Sequence, residues 1–151
     1  MSSDWSQQEQ AMRAVAISFL SWKRYLEAKL QPCGVNLKQA ALLRMIRSEG
    51  YLYPADVARR FFCDRPTATS LINTLVRRGW VKREADLADA RRVRVIITDA
   101  GIAKLDSLPP DASRSAPQQR DPLAPFTEAE RKVLIPLLQR LAAHLDKDSI
   151  K

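Results

Sequence analysis

Apolar residues recur at steps of three and four along much of this 151-residue chain, which predicts a mainly helical protein. Between Trp5 and Leu30 they mark one face of a long first helix, which Pro32 and Gly34 end. The residues of this apolar stripe are Met12, Val15, Phe19, Trp22, Leu26 and Leu30. Because a helix with a continuous apolar stripe needs a surface to pack against, we expect the stripe to be core or a dimer seam.

Two shorter helical patterns follow. The first covers residues 37 to 49 and stops at Gly50. Its expected inward residues are Leu37, Ala40, Ala41, Leu42 or Leu43, and Ile46. The second begins at Pro54, since proline is tolerated in a first helical turn, and lasts about two turns. Its expected buried residues are Val57, Ala58 and Phe61.

A further pattern predicts a helix whose two faces differ in character. Asp64 is its N-cap candidate, Pro66 lies in its first turn, and Gly79 is expected as its C-cap. The inner stripe consists of Leu71, Ile72, Leu75 and Val76. The opposite face carries short hydrogen-bonding side chains and one cation, namely Thr67, Thr69, Ser70, Asn73, Thr74 and Arg77. Such a face is suited to contact a polar partner.

Residues 80–84 and 92–97 alternate in polarity and are rich in β-branched side chains, so they predict two strands. The polar stretch between them predicts a hairpin. Arg91 and Arg92 lie at its tip and Arg94 lies just inside the second strand. We expect these cations to project from the hairpin as from a wing.

The C-terminal third contains two more helical patterns, separated by prolines. Thr98 is expected to cap a helix that runs through Leu108 and stops at Pro109. Residues 109–126 are proline-rich and predict either an ordered crossover or a partly disordered linker. Thr127 and Glu130 form a capping box for a last helix. Leu134, Leu138, Leu141 and Leu145 share one face of it, and Pro136 should kink this helix rather than forbid it.

The charge balance favours a polyanionic partner. Lys and Arg number 25 against 17 Asp and Glu, which leaves a net charge of +8. No apolar run approaches the roughly 18 residues that span a bilayer, and the N-terminus lacks the basic-then-apolar order of a signal peptide. We therefore expect a cytoplasmic protein with no membrane partner.

The residues of enzyme and metal sites are sparse. No Gly-rich phosphate loop, nucleophile elbow or convergent carboxylate pair is visible, so we expect no enzyme and no cofactor. His144 is the single histidine, and Cys33 and Cys63 lie 30 residues apart without a CxxC pair, so we expect neither a metal site nor a disulfide framework. Cys63 adjoins the turn before the polar-faced helix, where it is either a small buried hydrophobe or a redox sensor.

The order of elements is informative in itself. A helix, a short helix, a turn at residues 62–64, a polar-faced helix and a basic hairpin follow one another as in a winged helix-turn-helix. The predicted fold class is therefore mainly α with a small β-hairpin wing (α+β), flanked by N- and C-terminal dimerisation helices. The expected division is a dimerisation helix at 1–34, a DNA-binding domain at 35–108, a linker at 109–126 and a second dimerisation helix at 127–151.

Several motifs together resemble the MarR family over residues 37 to 145, and loosely over the first helix. They are Leu37-x-Gln39, the segment ADVARRFFCDRPTATSLINTLVRRGWVKRE, the wing Asp89-Ala90-Arg91, the sequence ITDAG after the wing, and FTEAER followed by LLQRL. The resemblance implies a homodimer in which the first and last helices of both chains intertwine. It also implies a ligand cleft between the dimerisation and DNA-binding parts.

The resulting hypothesis is a sequence-specific transcriptional regulator, expected to be a repressor, that acts as a homodimer on a palindromic operator in double-stranded DNA. Arg91, oriented by Asp89, is expected to enter the minor groove while the polar helix face reads the major groove. The candidate DNA-binding residues are Arg65, Thr67, Thr69, Ser70, Asn73, Thr74, Arg77, Arg91 and Arg92. Trp22 and Tyr25 are the candidates to border a cleft for a small-molecule effector. Three alternatives stay open, namely a winged-helix module that binds another protein, a regulator that responds to redox state through Cys63, and DNA binding without an effector.

Overall fold

Six α-helices and one two-stranded hairpin make up residues 6–109 and 121–148, the part of the chain that this computed structural model describes. The elements are α1 (Gln7–Leu30), a single 3-10 turn (Gln31–Cys33), α2 (Leu37–Glu49), α3 (Pro54–Arg60), α4 (Arg65–Arg77), β1 (Val81–Ala85), β2 (Val93–Ile97), α5 (Asp99–Ser107) and α6 (Glu128–Asp148). They fall into two units, Met1–Pro109 and Pro110–Lys151. The predicted class, mainly helical with a small hairpin, is confirmed.

Local chemistry sets both ends of α1. Ser6 and Glu9 form a capping box, in which the Ser6 hydroxyl accepts the Glu9 N–H at 3.3 Å and Glu9 accepts the Ser6 N–H at 2.8 Å. Pro32 and Gly34 follow its last residue, and Gly34 has a φ of 67°. Only the C-terminal end of the predicted stripe is deeply buried, at Leu30, whereas Phe19 is 59% exposed. Within the stripe, Met12 and Phe19 are therefore exposed, and Val15, Trp22 and Leu26 are half-buried.

The core of the first unit lies between α2, α3, α4 and the hairpin. Its fully buried residues are Leu42, Leu43, Ile46, Leu52, Val57, Ile72, Leu75, Val81 and Val95. The burial of several residues on α2, α3 and α4 differs from the sequence expectation. Leu37 and Ala41 on α2 and Phe61 after α3 are only half-buried. On α4, Leu71 and Val76 are half-buried, while Ala68 is buried in the core of the first unit.

The hairpin pairs Val81 with Ile97 and Ala85 with Val93 in antiparallel register. Both strands begin one residue later than predicted. On its other edge, β2 is bridged by Leu52, whose N–H donates to the Val95 carbonyl at 3.0 Å and whose carbonyl accepts the Val95 N–H at 2.8 Å. The segment between α2 and α3 therefore ties the hairpin to the helices.

The sequence ITDAG after the wing is explained by the start of α5. The Thr98 hydroxyl accepts the Gly101 N–H at 3.1 Å, and the Thr98 N–H donates to the Trp80 carbonyl at 3.0 Å. A β-carbon at position 101 would overlap that same carbonyl oxygen. Thr98 is therefore needed as the N-cap of α5. Glycine is needed at position 101 because α5 packs directly against the backbone of Trp80.

In the second unit, α6 begins at the predicted capping box. The Thr127 N–H donates to the Glu130 carboxylate at 2.8 Å, and the Thr127 hydroxyl accepts the Glu130 N–H at 3.3 Å. The helix continues past Pro136 to Asp148. Of the predicted apolar face, Leu134 and Leu141 are half-buried and the other two leucines are exposed. The expectation for the proline-rich segment rests mainly on residues 110–120, which lie outside the described residues.

Among the described helices, none is both long enough and apolar enough to cross a membrane.

Candidate nucleic-acid interface

The start of α4 is fixed by its cap and by the turn before it. The Asp64 carboxylate accepts the Thr67 N–H at 2.7 Å, and the hydrogen bonds from the Thr67 side chain and backbone hold the pKa of Asp64 below its ordinary value. In the turn, Phe62 has a φ of 48°, a conformation that bulky residues rarely adopt, and its side chain is 81% exposed. The Cys63 N–H then donates to the Ala58 carbonyl at 3.0 Å, which ties the turn back to α3.

The polar face of α4 is exposed as predicted, although some of its groups bond one another. The exposed residues are Arg65, Thr67, Thr69, Ser70, Asn73 and Arg77, and Thr74 is half-buried. Thr74 donates its hydroxyl to the Ser70 carbonyl at 3.0 Å and accepts the Arg77 guanidinium at 3.4 Å. Within this face, Thr67, Thr69 and Ser70 are all exposed in the first half of α4. In a helix-turn-helix, the first residues of the recognition helix are the ones that contact base edges.

Arg83, which was not among the predicted site residues, joins the hairpin to this face. Its guanidinium on β1 donates to the Asn73 amide oxygen at 2.6 Å. The two residues are only ten positions apart, but they meet because β1 returns alongside α4. Nothing in the alternation of the strand singles out Arg83, so no sequence pattern points to it.

At the wing tip, Asp89 holds Arg91. The Arg91 N–H donates to the Asp89 carboxylate at 3.0 Å, and the Arg91 side-chain Nε lies 3.6 Å from the same oxygen. The Arg91 side chain is nevertheless 96% exposed. The geometry therefore fits the predicted pairing of Asp89 with Arg91, while the contact of Arg91 with DNA stays a prediction.

The expectation that all three hairpin cations project is wrong for Arg94. Its side chain is only 17% exposed and lies 3.9 Å from both Glu84 and Asp86, with its guanidinium 5.1 Å from the centre of the Tyr51 ring. The reason is the hairpin register, which places Arg94 opposite Glu84. Arg92 is exposed, but its guanidinium stacks 3.7 Å from the centre of the Tyr53 ring.

Tyr51 and Tyr53, which were not among the predicted site residues, contact the arginines of the hairpin. Tyr53 donates its hydroxyl to Asp86 at 2.6 Å, and this bond raises the pKa of Tyr53 to about 12. The same bond, with the backbone N–H of Ala88, lowers the pKa of Asp86. Tyr51 packs edge-on against Tyr53, with ring centres 5.5 Å apart. Their alternation around the buried Leu52 is the one sequence feature that could have drawn attention to them.

The predicted ligand residues lie on α1. The rings of Trp22 and Tyr25 stack at 5.2 Å, and the Lys29 ammonium lies 4.8 Å from the centre of the Tyr25 ring. An open groove of about 620 Å³ is lined in part by residues that are close to these two in the sequence, such as Arg24 and Glu27. Neither Trp22 nor Tyr25 lines this groove. The polar residues that line it are Arg24, Glu27, Gln31, Asn36, Gln39 and Arg78. The guanidinium of Arg78, just after α4, donates to the Gly34 carbonyl, so this groove connects the end of α1 with the end of α4.

Both cysteines are unpaired with each other and half-buried, and Cys63 packs against the core of the first unit. This environment is typical of a small hydrophobe. In residues 6–109 and 121–148, no group of three His, Cys, Asp or Glu side chains could hold a metal ion.

Comparison with known proteins finds similarity over part of the chain. A model described as "MarR family" matches residues 34–92. The HTH-type transcriptional regulator PecS of Dickeya dadantii (strain 3937) is 27% identical over 125 residues, which are 81% of this chain and 74% of PecS.

Two solved structures share the fold. A MarR variant from E. coli complexed with operator DNA matches with a TM-score of 0.77 at 22% identity, over 93% of this chain and 99% of that one. BpsR of Bordetella bronchiseptica, described with a mechanism for regulation of its DNA binding by 6-hydroxynicotinic acid, matches with a TM-score of 0.73 at 22% identity, over 89% of this chain and 99% of that one. The chain is therefore similar to MarR-family proteins over residues 34–92 and shares the fold of these two solved structures.

Proposed function

We propose that this chain is a sequence-specific DNA-binding repressor that acts as a homodimer on a palindromic operator. The observation that carries the proposal is the exposed polar face of α4 beside a wing whose tip presents Arg91, all in one rigidly packed unit. An α-helix fits the major groove, and short donors and acceptors at its start can hydrogen-bond base edges. A cation on a neighbouring hairpin gains from the phosphates or from a narrow minor groove.

The two parts of the surface have different roles in this proposal. Thr67, Thr69 and Ser70 face base edges, and the Asn73 amide, held by Arg83, presents its remaining hydrogen-bonding capacity to the same groove. The remaining α4 candidates, Arg65, Thr74 and Arg77, flank this set and contact sugars or phosphates. Arg91 enters the minor groove, and Arg92 adds charge from its place over Tyr53.

A second copy of the chain is the partner that the uncovered apolar residues require. On α1, Ile17, Phe19 and Leu20 are each more than half exposed, and on α6 the residues Val133 and Leu137 are also exposed. We assign residues 1–34 and 127–151 to dimerisation, 35–108 to DNA binding and 109–126 to a linker. Two subunits related by a twofold axis would place their α4 helices about 34–36 Å apart on successive major grooves, which is why the operator should be palindromic.

A small molecule is proposed to tune DNA binding, as 6-hydroxynicotinic acid does for BpsR. The effector would bind beside α1, between the dimerisation and DNA-binding parts, with Trp22 and Tyr25 at its edge. Such a ligand acts only if it binds one spacing of the two α4 helices more tightly than another. We assign the chain no catalytic activity and no cofactor, and we expect it in the cytoplasm.

Selection from a random DNA library, followed by mobility shifts on the recovered sequence and on a scrambled one, tests the proposal. Thr69→Ala should cost about 1–3 kcal/mol on the recovered sequence and little on the scrambled one. Arg91→Ala should weaken binding to both and lower the salt slope by about one unit. Lys132→Ala removes the same charge from α6 and serves as the control, with no change in slope expected. Equal affinity of the unaltered chain for recovered and scrambled DNA would refute sequence-specific binding, and no DNA binding at all would favour the protein-binding alternative.

A further inference from the structure

The wing of this chain is held by side chains as well as by its strands. We call the set Tyr53, Asp86 and Arg92 the wing clamp. The Tyr53 hydroxyl donates to Asp86 Oδ2 at 2.6 Å, and the Arg92 guanidinium lies 3.7 Å from the centre of the same ring. Tyr53 is the N-cap of α3, so the clamp connects the helical core to the hairpin across 33 residues of sequence.

The clamp continues from Asp86 to the wing tip. While Oδ2 of Asp86 accepts the Tyr53 hydroxyl, Oδ1 accepts the N–H of Ala88 at 2.8 Å and that of Asp89 at 3.1 Å. Asp89 in turn accepts the Arg91 N–H at 3.0 Å. A chain of hydrogen bonds thus runs from Tyr53 through Asp86 and Asp89 to Arg91, whose side chain is 96% exposed.

A two-stranded hairpin is marginally stable in water by itself, so its tip needs further contacts to hold one conformation. Here β1 and β2 have five residues each, and the Leu52 bridge anchors the hairpin at Val95, away from the tip. Two backbone bonds restrain the loop between the strands, from the Asp86 N–H to the Arg92 carbonyl and from the Arg92 N–H to the Asp89 carbonyl, both at 2.9 Å. The side-chain bonds of Asp86 add to this restraint and connect the loop to α3. Ordering a loop at the moment of binding weakens affinity, whereas a loop that is already ordered avoids this cost.

We propose that Tyr53 and Asp86 are positioning residues that preorganise the wing tip so that Arg91 is presented to DNA. The inference rests on the proposed DNA binding and adds to it two residues that need not contact DNA themselves.

The test is a double-mutant cycle on the DNA recovered by selection. Tyr53→Phe removes only the hydroxyl and keeps the ring beneath Arg92, so the stacking contact is preserved. We expect this change to weaken binding by about fivefold to tenfold, and Asp86→Asn to do so at least as strongly. In the Arg91→Ala background, Tyr53→Phe should change binding less than twofold, because the residue that the clamp positions is gone.

Hydrogen exchange supplies a readout that does not depend on DNA. In Tyr53→Phe, the amides of Ala88 and Asp89 should exchange faster, while those of Ile72 and Leu75 in α4 should be unchanged. The inference is overturned if Tyr53→Phe binds DNA as the unaltered chain does, if its effect is the same with and without Arg91, or if the wing-tip amides exchange at the original rate. Failure of the unaltered chain to bind DNA would overturn the proposed function and this inference together, and it is recognised before any variant is made.

Discussion

Replacing Gly101 with alanine should destabilise the protein, although Gly101 lies inside α5, where alanine is normally the better residue. Helix propensity alone would favour alanine by about 1 kcal/mol. The packing opposes this, because the new β-carbon would overlap the Trp80 carbonyl oxygen and lie 2.7 Å from Ile97 Cγ1 and 2.9 Å from the Trp80 carbonyl carbon. Ordinary contacts between carbon atoms are about 3.5–4.0 Å.

The magnitude follows from what must move. Overpacking against movable side chains costs about 1–3 kcal/mol, and here the main obstacle is backbone, so a value at the upper end applies. Shifting α5 away also strains the Thr98 cap, which contributes about 1 kcal/mol. After subtracting the gain in propensity, we expect Gly101→Ala to lower the free energy of unfolding by about 2–3 kcal/mol. For a chain of this size that lowers Tm by roughly 5–10 °C.

The assay is thermal and urea unfolding followed by circular dichroism, with the protomer concentration held fixed because a dimer unfolds in a concentration-dependent way. Ala103→Gly is the matched control, since residue 103 is exposed on the same helix. It should cost about 1 kcal/mol through propensity alone. Glycine to alanine at position 101 and alanine to glycine at position 103 would then both lower the free energy of unfolding. If Gly101→Ala is as stable as the unaltered chain, α5 does not pack on the Trp80 carbonyl in the way described.

Three further predictions follow from the same structure. Phe62→Gly should stabilise the protein by about 1 kcal/mol, because it relieves a positive φ at an exposed side chain. Gly34→Ala should destabilise it by a similar amount, because position 34 has a φ of 67° although the space around it is open. Unfolding midpoints that stay unchanged in both variants would contradict this. Asp64→Ala should lower Tm at neutral pH, and because the Thr67 bonds depress the pKa of Asp64, the difference from the unaltered chain should shrink as pH falls below about 4; Asp64→Asn, which still caps, is the control. Deleting residues 1–30 should give monomer or aggregate in light scattering, and a well-behaved dimer would exclude α1 from the interface.

The starts of three helices could be predicted from sequence because each depends on residues within one turn. The end of α4 was predicted one residue late, since its C-cap is Arg78 and the expected Gly79 follows it. Asp64 meets the Thr67 N–H three positions later, Thr98 meets Gly101, and Thr127 meets Glu130. The polar face of α4 could also be predicted, since helical periodicity alone decides which side chains share a face.

Core membership was predicted less completely. Ala68 was not assigned to the inner stripe of α4, yet it is buried, while Leu71 is half-exposed. Periodicity gives the direction of a face but not the distance to its neighbour. Which residues of that face are fully covered depends on how closely the neighbouring elements approach it, and this distance is set only when the helices pack.

What the sequence determined by itself was therefore the helices and strands, their order, the N-caps Asp64, Thr98 and Thr127, and the polar face of α4. All of these depend on short-range hydrogen bonds and repeating patterns. The tertiary structure decided which distant groups meet. It packed Arg94 against Glu84, Asp86 and the Tyr51 ring, joined Arg83 to Asn73, and brought the Tyr53 hydroxyl to Asp86. These contacts depend on strand register and on how the hairpin packs on the helices, and a one-residue slip in a strand turns every side chain to the other face. Such contacts have no local pattern, because their geometry exists only once the hairpin and the helices are packed together.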